Sequence, residues 1–372
     1  MTDVGGTYMG RFSALVPSYY KDFVCKCGAC RHTCCDGWGI TVSEAEYFRL
    51  LGEDCPEDLR HRLDNALTVL DYPTAERYGY LRPNYLGNCK LLREDGLCAL
   101  HAGCGEDALP LICRLYPRAV KHYGGHREIV ISNSCERVLE MLMDDTSPLT
   151  FSEVTVDLPF DGLPVYGSDP AKDAVRRQAI GIMSDRSMPI AARLQKIGRD
   201  ICGEDAVPDG DKVTAIHELR RCIEQIEAHS DSVRAAADKA FAYIGDGSDE
   251  EAYELFVRAE RKLYGVLPDI EAYAERIIVN HMAYESFPYA SDCTSLSGAY
   301  AALTTSAALL KFLSVCGAAV SGCREELIDI LAGVYRFIEH TDYYALSSKR
   351  AHICGSAVFA RFAKLLDAPD AL

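Results

Sequence analysis

At 372 residues, 48% of them hydrophobic and 25% charged, the chain is long enough for one large or two medium domains with real cores, which excludes a disordered polypeptide. A formal net charge of -16 repels phosphate backbones, so no nucleic-acid partner is expected, and the opening segment lacks the basic and apolar regions of an export signal. In a chain read in this way as cytoplasmic, an odd total of 17 cysteines argues against a disulfide scaffold and directs attention to metal chemistry.

The stretch Cys25-Lys-Cys27-Gly-Ala-Cys30-Arg-His-Thr-Cys34-Cys35-Asp-Gly-Trp38 sets five thiols close together ahead of the single tryptophan. Such spacing points to metal or iron-sulfur binding rather than to packing. Just upstream, Tyr19, Tyr20 and Phe23 are expected to cover the apolar shell of that site. If residues 29–35 are helical, Cys30 and Cys34 share a face, whereas Cys34 and Cys35 point about 100° apart and serve different centres, or one of them only packs. Ser43 followed by Glu46 spells a capping box and predicts a helix start, and a second helical pattern covers 57–70.

A second block begins at Cys89 and carries Asp95-Gly96 ahead of Cys98. As a two-residue hairpin it places Cys98 opposite Arg93 and leaves Cys89 roughly 13 Å away, too far to share an ion unless the strand bends. His101 follows closely enough to supply nitrogen, though a lone histidine is more often only hydrogen-bonded. Cys113 lies in Leu109-Pro-Leu-Ile-Cys-Arg114-Leu-Tyr116-Pro117-Arg118, whose cations either hold an anionic cofactor, offset thiolate charge, or form a solvated face with Lys121 and Arg127. Alternation around Gly124-Gly125 predicts a hairpin. Ser132-Asn-Ser134-Cys135 then opens an amphipathic helix, with Cys135 where a helix N-terminus favours the thiolate. Residues 1–145 are therefore read as a cysteine-rich metal-binding domain.

Prolines and glycines punctuate 146–170, which reads as a linker or seam. Residues 171–372 are read as a helical domain, with helices near 171–184, 188–201, 212–229, 231–244, 249–264, 268–286, 294–318, 323–342 and 347–366. The weakly polar run 299–320 carries Lys311 near its middle and is read as a core helix, so no membrane partner is expected. Gly245-Asp-Gly247 falls between helical patterns and is a connector, leaving no glycine-rich cofactor loop after a strand. The fold class expected is mainly α with one or two small β-hairpins.

The order Pro17-x-Tyr19-Tyr20-x-x-Phe23-x-Cys25-x4-Cys30-x3-Cys34-Cys35-x-Gly37-Trp38-x-Ile40 resembles the opening of the flagellin lysine N-methylase family, within a wider set of zinc- or iron-chelating cysteine-cluster proteins. Cys89-x-Leu-Leu-x-x-Asp-Gly-Leu-Cys98, Leu109-Pro-x-x-Cys113-x-x-Tyr116-Pro117-Arg118 and Ser132-x-Ser134-Cys135 continue the resemblance over residues 8–140. A looser match follows at Asn280-His281-Met and Phe287-Pro288. Cys27 departs from the family pattern.

The resemblance implies an enzyme that moves a methyl group from S-adenosylmethionine to flagellin lysines. It implies an iron-sulfur cluster, expected as 4Fe-4S with zinc as the alternative, held by ligands among Cys25, Cys30, Cys34, Cys35, Cys89, Cys98, Cys113 and Cys135. Four thiolates suffice for one cluster, so either two sites exist or about half of these thiols are structural. The chemistry is then expected in the N-terminal domain, with the helical domain serving substrate recognition. Tyr116 is the candidate for a lysine-facing hydroxyl, or else packs on the cluster, and Asp36 either meets the substrate ammonium or forms a turn. Trp38, Arg114 and Arg118 are the candidates for cofactor binding. A second function class, a non-catalytic metal-binding or electron-transfer module, stays open from the residues alone.

Overall fold

The computed structural model describes residues 8–123, 125–160, 169–203, 212–227, 230–289, 295–319, 322–354 and 357–366. The chain forms two compact units, each assembled from separated segments. One comprises Met1–Val16, Val24–Ile129 and Ser152–Tyr166, and the other Pro17–Phe23, Val130–Phe151 and Gly167–Leu372. The mainly α composition holds, with more sheet than the two hairpins expected.

In the first unit, β1 (Tyr8–Pro17) is followed by β2 (Ile40–Val42), α1 (Glu44–Leu51), α2 (Glu57–Ala66), β3 (Leu67–Val69), β4 (Gly79–Leu81), α3 (Ala99–Cys104), α4 (Leu111–Leu115), β5 (Arg118–His122) and β6 (Arg127–Ile131). The helix expected over 57–70 stops at Ala66, because β-branched Thr68 and Val69 enter the antiparallel sheet β2-β4-β3, where Leu67 pairs with Leu81. Ser43 caps α1 as its spacing predicts, its hydroxyl accepting from the Glu46 N–H while the Glu46 carboxylate accepts from the Ser43 N–H. β5 and β6 form the expected hairpin, with Gly124 outside the described residues.

The strand order β5-β6-β1-β7 brings in β7 (Phe151–Phe160), which lies within the segment read as a seam. Its prolines suggested a loop, but Pro159 lies in β7, at the end of the strand order, where proline is best tolerated in a sheet. Pro164, Gly162 and Gly167, also used for that reading, lie outside the described residues. β1 runs parallel to β6, with Leu15 opposite Glu128, and was not anticipated, since its aromatic residues do not alternate cleanly.

The second unit holds α5 (Glu136–Met143), α6 (Pro170–Met183), α7 (Ile190–Ile201), α8 (Lys212–Glu227), α9 (Asp231–Ile244), α10 (Asp249–Val266), α11 (Ile270–Tyr284), α12 (Leu296–Gly317), α13 (Arg324–His340), α14 (Tyr343–Cys354) and α15 (Ala357–Lys364). Helix positions follow the expected pattern, except that the last expected helix is two. Asp169 caps α6 ahead of Pro170, and Ser248 with Glu251 closes a second capping box on α10. Helix α12 is long and apolar enough to cross a membrane, yet 94% of its apolar window is buried among its neighbours, as in a core helix. Gly198 of α7 permits that packing, since a β-carbon there would stand 2.8 Å from the Tyr300 ring.

Tyr19 and Phe23 belong to this helical core and do not cover the thiols, because the Tyr19 hydroxyl donates to Asn280 Oδ1 at 2.7 Å. Asp145 accepts from the Ser147 N–H at 2.8 Å and faces Arg276 at 3.1 Å, which hold its carboxyl below the usual range. The unfolded chain therefore takes up that proton first as pH falls below about 4, and the stabilisation present at neutral pH is lost on descent through the folded value. Asp145→Asn is expected to flatten the acid limb of the stability curve. Urea titrations at neutral and acid pH measure this, and an unchanged limb would refute it.

Candidate functional site: a convergence of thiols

Two glycines bring the first cysteine block to the second. A β-carbon on Gly28 would stand 2.8 Å from the Asp95 carbonyl oxygen, and one on Gly96, whose φ is +77°, would stand 3.0 Å from the Gly28 carbonyl oxygen. The loop carrying Cys25, Cys27 and Cys30 thus lies backbone to backbone on the Asp95-Gly96 turn. That turn is a three-residue loop, with the Arg93 N–H donating to Leu97 O and the Gly96 N–H to Arg93 O. Leu92, not Arg93, opposes Cys98, and the Leu92 N–H folds back on Cys89 O at 3.0 Å. The bend removes the separation expected for Cys89 and Cys98. The Cys89 N–H donates to Cys35 O at 2.7 Å and draws in the first block.

Cys35, Cys89, Cys98 and Cys113 consequently lie near one another. Burial pushes the Cys89 thiol up to about 11, with Cys35 and Cys98 adding to the rise, while the Leu91 and Leu92 N–H groups face the sulfur and oppose it. Cys98, the N-cap of α3, is raised by burial and by Cys35, against the N–H groups of His101 and Leu100. Cys113 is raised far more, first by burial, then by Cys35, Cys89 and Cys98. Cys34 is raised by a hydrogen bond with the Cys35 thiol, then by burial and by Cys35, Cys113 and Cys25.

Two expectations are thereby corrected. Residues 30–35 are turns and bends rather than helix, so the hundred-degree divergence of Cys34 and Cys35 does not arise and their thiols meet. The apolar shell comes from Leu50, Leu59, Leu63, Leu81, Leu91 and Leu100, against which Cys35, Cys98 and Cys113 pack.

The chemistry of this donor set fits a soft metal or an iron-sulfur cluster: sulfurs of four segments, two faced by backbone N–H groups, beside an apolar wall. Among the described residues no three His, Cys, Asp or Glu side chains are arranged as ligands of a common ion, so the thiols are neighbours rather than a closed shell. Cys25 and Cys27 are exposed beside each other, with the Cys27 N–H donating to Cys25 Sγ at 3.3 Å, and Cys30 is half-buried. Cys135 lies in the second unit as the N-cap of α5 and faces Tyr19. His101 is exposed on α3.

The remaining sequence candidates lie in the first unit. Tyr116 meets Trp38 edge-on, with ring centres 5.5 Å apart. Asp36 pairs with Asn88 across a short bridge, Arg114 is ion-paired with Asp107 at 3.0 Å, and Arg118 begins β5.

Sequence reasoning passed over a buried polar network in the second unit. His281 Nδ1 stands 2.8 Å from Glu339 Oε1 and its Nε2 stands 2.9 Å from the Tyr344 hydroxyl. Ser132 donates to Glu339 Oε2 at 2.5 Å, and the Ser134 hydroxyl lies 2.8 Å from His340 Nε2. Asn280 donates to Ile131 O and to Asn133 Oδ1. The Ser132–Ser134 and Asn280–His281 motifs, far apart in the chain, are thus two halves of one network, a pairing that neither motif alone announces.

Residues 208–350 match the C-terminal domain of the FliB lysine N-methylase. Over that segment the chain is similar to lysine N-methylases. The match falls in the helical unit, whereas the cysteine motifs that carry the sequence resemblance lie upstream. Relatives similar to this chain are the lysine-N-methylases of Salmonella typhimurium, 28% identical over 40% of this chain, and of Salmonella choleraesuis, at the same identity and coverage. The flagellar biosynthetic protein FliU of Salmonella muenchen is 27% identical over 39% of this chain and 85% of its own length. The chain covers 37% of the length of the two lysine-N-methylases it matches. No solved structure matches it.

Proposed function

We propose that this protein is an S-adenosylmethionine-dependent protein lysine N-methylase acting on flagellin in the cytoplasm, with an iron-sulfur cluster of 4Fe-4S type, or zinc as the alternative, held by Cys35, Cys89, Cys98 and Cys113. The match of residues 208–350 to the lysine N-methylase domain carries this reading. The flagellar name of the FliU relative and the family's flagellin substrate support the choice of acceptor. The thiol convergence supports the choice of ligands.

Bound there, the metal group would supply a redox or Lewis-acid centre. The chain's own part is better defined. The leucine shell excludes water on one side of the thiols, and the N–H groups at Cys89 and Cys98 favour the thiolate form that a metal requires. The acceptor lysine must present a neutral amine, so that its nitrogen bonds the methyl carbon as the carbon-sulfur bond breaks, and the product then sheds its extra proton. Desolvation by apolar walls lowers a lysine's affinity for its proton and meets that demand.

The test is coexpression with flagellin under conditions that preserve the metal, followed by intact-protein mass measurement. Flagellin is expected to gain one methylene mass per transferred methyl, localised to lysines. Unmodified flagellin beside metal-loaded protein and cofactor would overturn the assignment and favour the electron-transfer reading.

A further inference from the structure

The helical unit contains an apolar crevice with a cavity of about 110 Å³ between α10, α11, α12 and α13. Ile277, Ile278, Ala307, Leu310, Leu327 and Tyr335 form much of its wall. A space of that size holds a few waters or one short aliphatic chain, and an apolar lining favours the chain.

The polar groups at the crevice narrow the class of occupant. The charged residues lining it are Glu271 and Lys311, and Lys311 is already ion-paired with Glu260. These three side chains sum to one negative charge, which attracts a cation and repels a carboxylate. Tyr264, whose hydroxyl donates to Glu271 at 3.4 Å, and Tyr273 add aromatic rings, surfaces that also favour a cation. Also in the lining, the Ser314 hydroxyl is buried without a hydrogen-bond partner among the described residues. An orphaned hydroxyl in an apolar wall is costly unless a ligand satisfies it. Behind the wall, the Tyr335 ring lies 5.2 Å from the His281 ring, so the His281–Glu339 pair backs the crevice without entering it.

We propose that this crevice binds an alkylammonium side chain, the chemical class of the acceptor lysine, with Glu271 drawing in the cation and Ser314 meeting the nitrogen inside. The identity of the occupant as a lysine rests on the methylase reading above, whereas the preference for an alkyl cation rests on the crevice alone. The negative mouth captures the protonated amine, and the apolar wall disfavours its charge. The proton then leaves to Glu271 or to water, and the nitrogen lone pair becomes free for transfer.

The experiment uses full-length protein at neutral pH without cofactor or acceptor and compares hexylamine, hexanol and hexanoate by ligand-observed NMR. Hexylamine is expected to bind more tightly than hexanol, with hexanoate weakest. Glu271→Gln is expected to weaken hexylamine about fivefold and leave hexanol unchanged. Ala307→Phe fills the crevice and is expected to abolish binding of all three. Should that variant misfold, Ala274→Leu at the half-buried rim gives the same readout.

Hexanoate binding as well as hexylamine, no hexylamine binding, or binding unmoved by these variants would overturn the proposal. If flagellin is methylated normally by the folded Ala274→Leu protein, the crevice is not the acceptor site and the family activity stands. If the amine binds as described and flagellin is never methylated, the crevice stands and the flagellin reading falls.

Discussion

Cys113→Ser is expected to strip nearly all bound metal from the protein and with it any flagellin methylation, while leaving the helical unit folded. Cys113 is the thiol on which Cys35, Cys89 and Cys98 all bear electrostatically. A serine oxygen is a poor donor for a soft metal, so the exchange removes a ligand without opening a cavity. Cys35→Ser, Cys89→Ser and Cys98→Ser are expected to behave alike, whereas Cys27→Ser, at an exposed position outside the family pattern, is expected to retain its metal. Metal analysis and visible absorbance of anaerobically purified protein read the outcome, and a colourless protein with stoichiometric zinc would select zinc over iron. Full metal retention in Cys113→Ser would refute the proposed ligand set.

Glu275→Ala is expected to destabilise the helical unit by about 3–5 kcal/mol, the usual result of leaving a buried charge without its partner. The Glu275 side chain is 1% exposed and accepts from Arg186 at 2.9 and 2.8 Å and from Arg193 at 2.6 Å. Arg193 is 5% exposed, so deletion of the carboxylate strands a buried guanidinium whose remaining hydrogen bonds among the described residues go to the carbonyls of Met183 and Met188. Glu275→Gln keeps an acceptor oxygen and should lose less. Denaturant midpoints compare the three proteins, and equal midpoints for Glu275→Ala and the parent would contradict the inferred role. Metal content should be unaffected, which separates this loss from that of the thiol variants.

Much of the helical unit was legible in advance because its information is local. The 3.6-residue spacing of apolar positions and the turn signals between helices, such as Gly245-Asp-Gly247, act within one or two turns of chain. β1 and β7 were not legible, since a strand is completed by a partner distant in sequence: Leu15 pairs with Glu128, far along the chain. Among site residues, the motif cysteines were recognisable by spacing, but their mutual geometry was misjudged twice. The separation of Cys89 from Cys98 and the divergence of Cys34 from Cys35 both assumed regular structure where the chain makes turns.

By itself, the sequence determined a mainly α protein with a dense N-terminal thiol block, a helical remainder and the residues by which a family could be recognised. Only the tertiary structure decided which thiols are neighbours, that Tyr19 and Phe23 serve the helical core, and that Ser132, Ser134, Asn280 and His281 share one network with Glu339. The physical reason is the range of the forces involved. Capping and helix periodicity act over a few residues and are written in local order, whereas thiol proximity and buried charge pairing depend on contacts between distant segments, which exist only once backbone approaches such as that of Gly28 to Gly96 have been made.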